Sequence, residues 1–149
     1  TKGIILITND GDFMNKMVGP QSGIEKEYLV RIKGILTKEE VIRITEGLQI
    51  GKTKYLPAIL NIESVDKANN SSLIRIIITE GHYHQIKLMF DSLNHPVKRL
   101  TRVRFGCIDI EHMKEGEVRA LTIHEVKTLL ELAKKDKVLT PNKKVKIKY

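Results

Sequence analysis

Leu73-Ile-Arg-Ile-Ile-Ile-Thr79, then Glu80-Gly-His-Tyr-His-Gln-Ile-Lys-Leu-Met-Phe90, then Val97-Lys-Arg-Leu-Thr-Arg-Val-Arg-Phe105 is the stretch on which the fold turns. The first run is rich in β-branched residues and predicts a strand, which Gly81 breaks. Ile86, Met89, Phe90 and Leu93 then recur at helical spacing, so 82–94 predicts a helix stopped by Asn94. Val97 to Phe105 alternates, one side chain in two being basic or polar, which predicts a second strand.

Working outward, Ala58 to Val65 pairs with Leu73 to Thr79 as a hairpin across the turn-rich Asp66 to Ser72. Glu25 to Lys33 alternates, with Tyr28, Val30 and Ile32 on one face of a half-buried strand. Gly3 to Thr8 is a short apolar strand closed by Asn9-Asp10-Gly11, and Asp12 to Val18 predicts a short helix. Two capping boxes, Thr37 with Glu40 and Thr122 with Glu125, open amphipathic helices. The first carries Val41, Ile44 and Leu48 inward and ends near Gly47; the second carries Val126, Leu129, Leu130 and Ala133. Strands grouped with interspersed helices predict an α+β fold, a mixed or antiparallel sheet with helices packed on it. At 149 residues and 41% apolar content one globular unit is expected over 1–133, with a lysine-rich tail over 134–149.

Charge and composition narrow the function. The net charge is +8, but residues 134–149 hold seven Lys and one Asp, leaving 8 − 6 = +2 for the rest. Within that body Lys87, Lys98, Arg99, Arg102 and Arg104 stand against Asp91 alone between His82 and Gly106, a local +4 that suits a nucleic-acid face. The single Cys107 and the 30% charged content predict a reducing, cytoplasmic setting. The apolar runs fall short of the roughly 20 residues a membrane helix needs, and no leader pattern precedes them. A chain that opens Thr-Lys-Gly-Ile-Ile without Met reads as the interior of a longer protein.

Three tempting motifs fail on spacing. Gly47-Leu-Gln-Ile-Gly51-Lys52-Thr53 has three residues between its glycines where a phosphate loop needs four, and a helix precedes it instead of following. His82, His84, His95 and Cys107 match no zinc spacing, and no Ser sits in a nucleophile elbow. Neither a metal nor a nucleotide cofactor is expected.

The block from Glu80 to Lys87 resembles the Glu-Gly-basic-x-basic-Gln-aliphatic-basic motif of RsuA-type pseudouridine synthases. Thr1-x-Gly3 with Leu6-Ile-Thr-Asn-Asp-Gly11 resembles the end of that family's first signature. Glu25-Lys-Glu-Tyr28-Leu-Val is similar to its second, and Gly116-Glu-Val-Arg119-Ala-Leu-Thr122 to its last. Four motifs in order, from Thr1 to about Leu132, are more specific than any one. The resemblance implies the catalytic fold of that family and isomerisation of a uridine in ribosomal RNA, without metal or cofactor; a monomer is expected, though the sequence itself does not set the oligomeric state.

It also implies roles. The nucleophilic aspartate would lie three positions before Thr1, so this chain alone is expected to be inactive. Asp10 and Asp12 are poor substitutes, since the motif puts Asp10 in a turn. Tyr28 matches the family's active-site tyrosine, and Lys87 the basic residue that pairs with the aspartate. Asn9, His84 and Gln85 would line the substrate site, while Arg99, Arg102 and Arg104 suit phosphates. His82 and Leu88 depart from the basic residues usual at their positions, which weakens expected RNA contacts more than chemistry. The family usually carries an S4-type RNA-binding domain upstream. The other reading is a non-catalytic, ribosome-associated RNA-binding domain that keeps the fold and the basic patch.

Overall fold

The computed structural model describes residues 2–18, 23–82, 84–133 and 146–149. In chain order the elements are β1 (Lys2–Gly3), β2 (Ile5–Ile7), α1 (Gly11–Val18), β3 (Lys26–Lys33), α2 (Lys38–Glu46), β4 (Gln49–Ile50), β5 (Thr53–Lys54), β6 (Ile59–Asp66) and β7 (Ser71–Ile78). They continue as α3 (Gln85–Ser92), β8 (Val97–Phe105), β9 (Ile108–Asp109), β10 (Val118–Ala120), α4 (Ile123–Leu132) and β11 (Lys146–Lys148). This is the α+β architecture expected. Among the described residues no helix is long and apolar enough to cross a membrane.

One globular unit was expected; the chain divides into two compact ones. The first holds 27–78 and 82–101, the second 2–26, 79–81 and 102–149. Length limits how much core a chain can build but not how many clusters share it. The reason is visible in β8, whose Val97 and Leu100 belong with one apolar cluster and whose Val103 and Phe105 belong with the other.

In the first unit the strands run in the order β8-β3-β7-β6, and β6 and β7 form an antiparallel hairpin with a register shift between Ile62 and Ser64. Val30 and Ile32 of β3 and Ile74, Ile76 and Ile78 of β7 are buried together with Ile44 of α2, Leu48 just beyond its end, and Ile86, Met89 and Phe90 from α3. The helices lie on the sheet because their apolar stripes have no other cover. Both arms of the capping box are made in α2: the Glu40 amide donates to Thr37 Oγ1 at 3.1 Å, and the Thr37 amide to Glu40 Oε1 at 2.9 Å. Such a cap contributes about 1 kcal/mol.

In the second unit Ile4, Phe13, Met17, Ile24, Phe105, Ile108, Val126 and Leu129 form the core. α4 opens with its own capping box at Thr122 and Glu125. The Arg119 guanidinium donates to both oxygens of Glu125, at 2.8 and 2.9 Å, and holds that carboxyl down at about 2. A three-stranded antiparallel sheet runs in the order β10-β11-β2. Its middle strand corrects the expectation of a tail: Ile147 is fully buried in the core, and Lys146 and Lys148 flank it. A three-residue apolar alternation among lysines is too short to be seen in sequence, and only its two distant neighbours make it a strand. The rest of the expected tail, 134–145, lies outside the described residues.

Candidate functional site

The first motif owes its glycine to a close approach of backbones. Gly3 has φ +111, and a Cβ placed on it would come within 2.0 Å of the Arg102 carbonyl oxygen. Only glycine fits there. The next residue is tied on both sides: the Ile4 amide donates to the Arg102 carbonyl at 3.0 Å, while Arg102 Nε donates back to the Ile4 carbonyl at 3.0 Å and Nη2 donates to the same oxygen. Arg102 is half-buried, and its guanidinium also lies over the Phe105 ring at 5.3 Å. Arg104 is half-buried too, donating to the Gly106 carbonyl at 2.7 Å and to Glu25 Oε1 at 3.0 Å. Two of the three arginines expected on phosphates are therefore engaged by the protein, and Arg99 is exposed.

Asn9 is exposed in the bend after β2. Asp10, beside it, accepts the Phe13 amide on Oδ1 at 3.1 Å and caps α1, the turn role expected of it.

Tyr28 is half-buried on β3 and packs against the apolar cluster of the first unit, to which α3 contributes Ile86, Met89 and Phe90. The helix begins at Gln85, not at His82, because His84 takes a left-handed conformation, φ 50 and ψ 33, at its cap. That conformation is uncommon outside glycine and tends to persist where a site demands it. Gln85 is buried, with Nε2 at 3.6 Å from Met89 Sδ, while Lys87 projects from the exposed side of the helix. His82, ahead of the helix, meets the Tyr55 ring edge-on with centroids 5.4 Å apart.

Lys26 was not anticipated. It is 3% exposed, with Nζ 3.4 Å from the Ile24 carbonyl and 3.5 Å from the Glu80 carbonyl, and 5.8 Å from the Phe105 ring centroid. Burial, with Arg102 nearby, lowers its ammonium to about 8, and buried Glu80 only partly offsets this. The signal was available: Lys26 has the parity of Tyr28, Val30 and Ile32, so the alternation already put a charge on the buried face.

A profile of the RNA pseudouridylate synthase family matches residues 1–92. The chain is 37% identical over 133 residues to the ribosomal large subunit pseudouridine synthase B of Bacillus subtilis, covering 89% of this chain and 54% of that protein. It is 32% identical over 127 residues to the ribosomal small subunit pseudouridine synthase A of Salmonella typhimurium, covering 85% and 53%. The crystal structure of a pseudouridylate synthase superposes with a TM-score of 0.69 at 30% identity, over 81% of this chain and 51% of that one. The chain spans about half the length of the curated relatives it matches. With the profile covering most of the chain and the same fold in a solved relative, the chain belongs to the RNA pseudouridylate synthase family, in its RsuA-type branch.

Proposed function

We propose that this chain supplies most of the catalytic domain of an enzyme that isomerises a uridine in ribosomal RNA, with the nucleophilic aspartate three positions before Thr1. The observation that carries this reading is the packing of Tyr28 against the cluster that also anchors α3, the helix bearing Lys87. In this reading Lys87, on the exposed side of α3, and Tyr28, half-buried on β3, meet at the rim of one cleft. Tyr28 offers a ring against the target base and a hydroxyl able to accept or return a proton. Lys87 faces the aspartate as a cation, favouring its ionised form and fixing its direction. In the reaction the bond from ribose to base nitrogen breaks, a bond from ribose to base carbon forms, and the proton given up by that carbon is matched by one taken up at the freed nitrogen. No metal or cofactor takes part.

Asn9, His84 and Gln85 contact the substrate, and Arg99 with Lys98 holds phosphates of the strand from which the uridine is drawn out. Arg102 acts as a positioning residue: with Gly3 it fixes the strand that follows the aspartate. The enzyme works as a monomer in the cytoplasm.

The test is pseudouridine content of ribosomal RNA after incubation with a chain extended upstream through the aspartate. Lys87→Ala in that chain should lose two or more orders of magnitude in rate, and Lys87→Arg less, because loss of catalytic positioning costs on this scale. The 149-residue chain should bind RNA without turnover. Full activity of Lys87→Ala would sink the assignment.

A further inference from the structure

At the other end of α3 from His84, the first unit has a hollow of about 470 Å³ whose lining includes Lys33, Asn70, Asp91, Asn94 and His95. It is set apart from Tyr28, since Lys33 lies five residues beyond it, or about 17 Å along β3, while Asp91 lies one turn, about 6 Å, along α3 from Lys87. Its back is rigid. His95 Nδ1 sits 2.8 Å from the Lys33 carbonyl, and Nε2 sits 3.0 and 3.1 Å from the two oxygens of Glu40. Gly34 packs so tightly on that ring that a Cβ there would reach Nδ1 at 2.7 Å. With both nitrogens taken, the His95 ring offers a ligand only its carbon surface.

The remaining groups are free to bind. The Lys33 ammonium, the Asp91 carboxylate and the carboxamides of Asn70 and Asn94 make no side-chain hydrogen bond or ion pair among the described residues, and all four residues are exposed. Asn70 and Asn94 hold left-handed turns, φ 48 and 62, where glycine would be the easier residue. Asparagine at both places brings two carboxamides to one hollow. A phosphate alone would not suit it, because Asp91 would repel the anion. The set of one carboxylate, two carboxamides and one ammonium matches a nucleobase edge with donors and acceptors side by side.

Among the four bases only guanine presents two adjacent donors, N1–H and the N2 amino group, to a single carboxylate while keeping O6 and N7 as acceptors. We infer that the hollow holds an unpaired guanine of the RNA strand, separate from the target uridine, with Asp91 accepting from N1 and N2. Asn70 and Asn94 face O6 and N7, and Lys33 lies toward the flanking phosphate. This rests on the reading that the chain binds RNA.

The experiment titrates the chain with guanosine, inosine and uridine monophosphates and follows the side-chain carboxamide NMR signals of Asn70 and Asn94. Guanosine monophosphate should move both signals. Inosine monophosphate, which lacks the N2 amino group, should bind about tenfold more weakly, the order expected for one lost base contact, and uridine monophosphate should move neither. Asp91→Asn should abolish the preference for guanosine over inosine. Asn94→Gly, which keeps the left-handed backbone without strain, should weaken guanosine binding while leaving the circular dichroism spectrum unchanged. Equal binding of guanosine and inosine, or no response to either, overturns the inference. Binding of a labelled ribosomal RNA fragment, followed by fluorescence polarisation, separates the two readings. RNA binding without a guanosine response sinks the pocket alone, and absence of both sinks the proposed function as well.

Discussion

β8 carries Lys98, Arg99, Arg102 and Arg104 within nine residues, and its two halves use them in opposite ways. Lys98 and Arg99 are exposed and make no ion pair among the described residues. Arg102 and Arg104 are half-buried and give their donors to Ile4, Gly106 and Glu25. A count of local charge treats all four alike. The difference teaches that a basic stretch divides into side chains that hold the fold and side chains left over for a partner, so stability and RNA affinity should separate along one strand.

The strongest way to break that division is Arg102→Ala. It leaves the Ile4 carbonyl without two charged donors, and hydrogen bonds to charged groups contribute about 1.5–3 kcal/mol each way. A loss of about 2–3 kcal/mol is expected in urea denaturation, and Arg102→Lys should restore little because an ammonium lacks the fork. If the variant lost less than about 0.5 kcal/mol, the typical surface value, Arg102 would be as free as Arg99.

Lys26 sharpens the comparison, being a buried cation whose contacts among the described residues are all long. Its folded value of about 8 lies below the ordinary 10.5, so between those values the unfolded chain binds the proton that the folded chain has released. Stability from this group therefore rises as pH increases from about 8 toward 10.5, and its cost is fully present below about 8. Lys26→Met should match or exceed the native chain at pH 7, and the native chain should gain about 1–2 kcal/mol on the variant as pH is raised. Parallel denaturation curves of the two proteins across that range, with no convergence, would show that the ammonium reaches water.

The smallest effect on stability belongs to the free end. Lys98→Ala with Arg99→Ala should change stability by less than about 0.5 kcal/mol. The same pair should weaken ribosomal RNA binding and reduce the logarithmic salt slope by about 2. An unchanged salt slope would make this face a solvated one and move phosphate binding elsewhere.

How much of this was legible follows the range of the interactions. Thr37 with Glu40 and Thr122 with Glu125 sit three residues apart and close their caps locally, so sequence reads them without tertiary help. β8 was legible end to end because its alternation is long. The start of α3 was not, since apolar spacing cannot register that His84 turns left-handed one residue before the helix. The ordered motifs singled out Tyr28 and the segment that forms α3, yet nothing local tells that Arg102 bonds a carbonyl 98 residues away or that Asn70 and Asn94 share a hollow. Those depend on which strands become neighbours.

The pairing of Ile5 with Lys148 and of Ile7 with Lys146 has a consequence for birth order on the ribosome. β11 is the middle strand of its sheet, so β2 and β10 wait for a partner that arrives after every other element described. All sequence of the first unit has been translated by Thr101, and its apolar cluster can close while synthesis continues. At about 5–20 residues per second, translation of the remaining stretch takes several seconds, and loop closure over so long a span adds its own delay. During that interval the nascent chain shows Ile5, Leu6 and Ile7 as an unpaired edge, a handle for chaperones and a hazard for neighbouring chains on a crowded polysome.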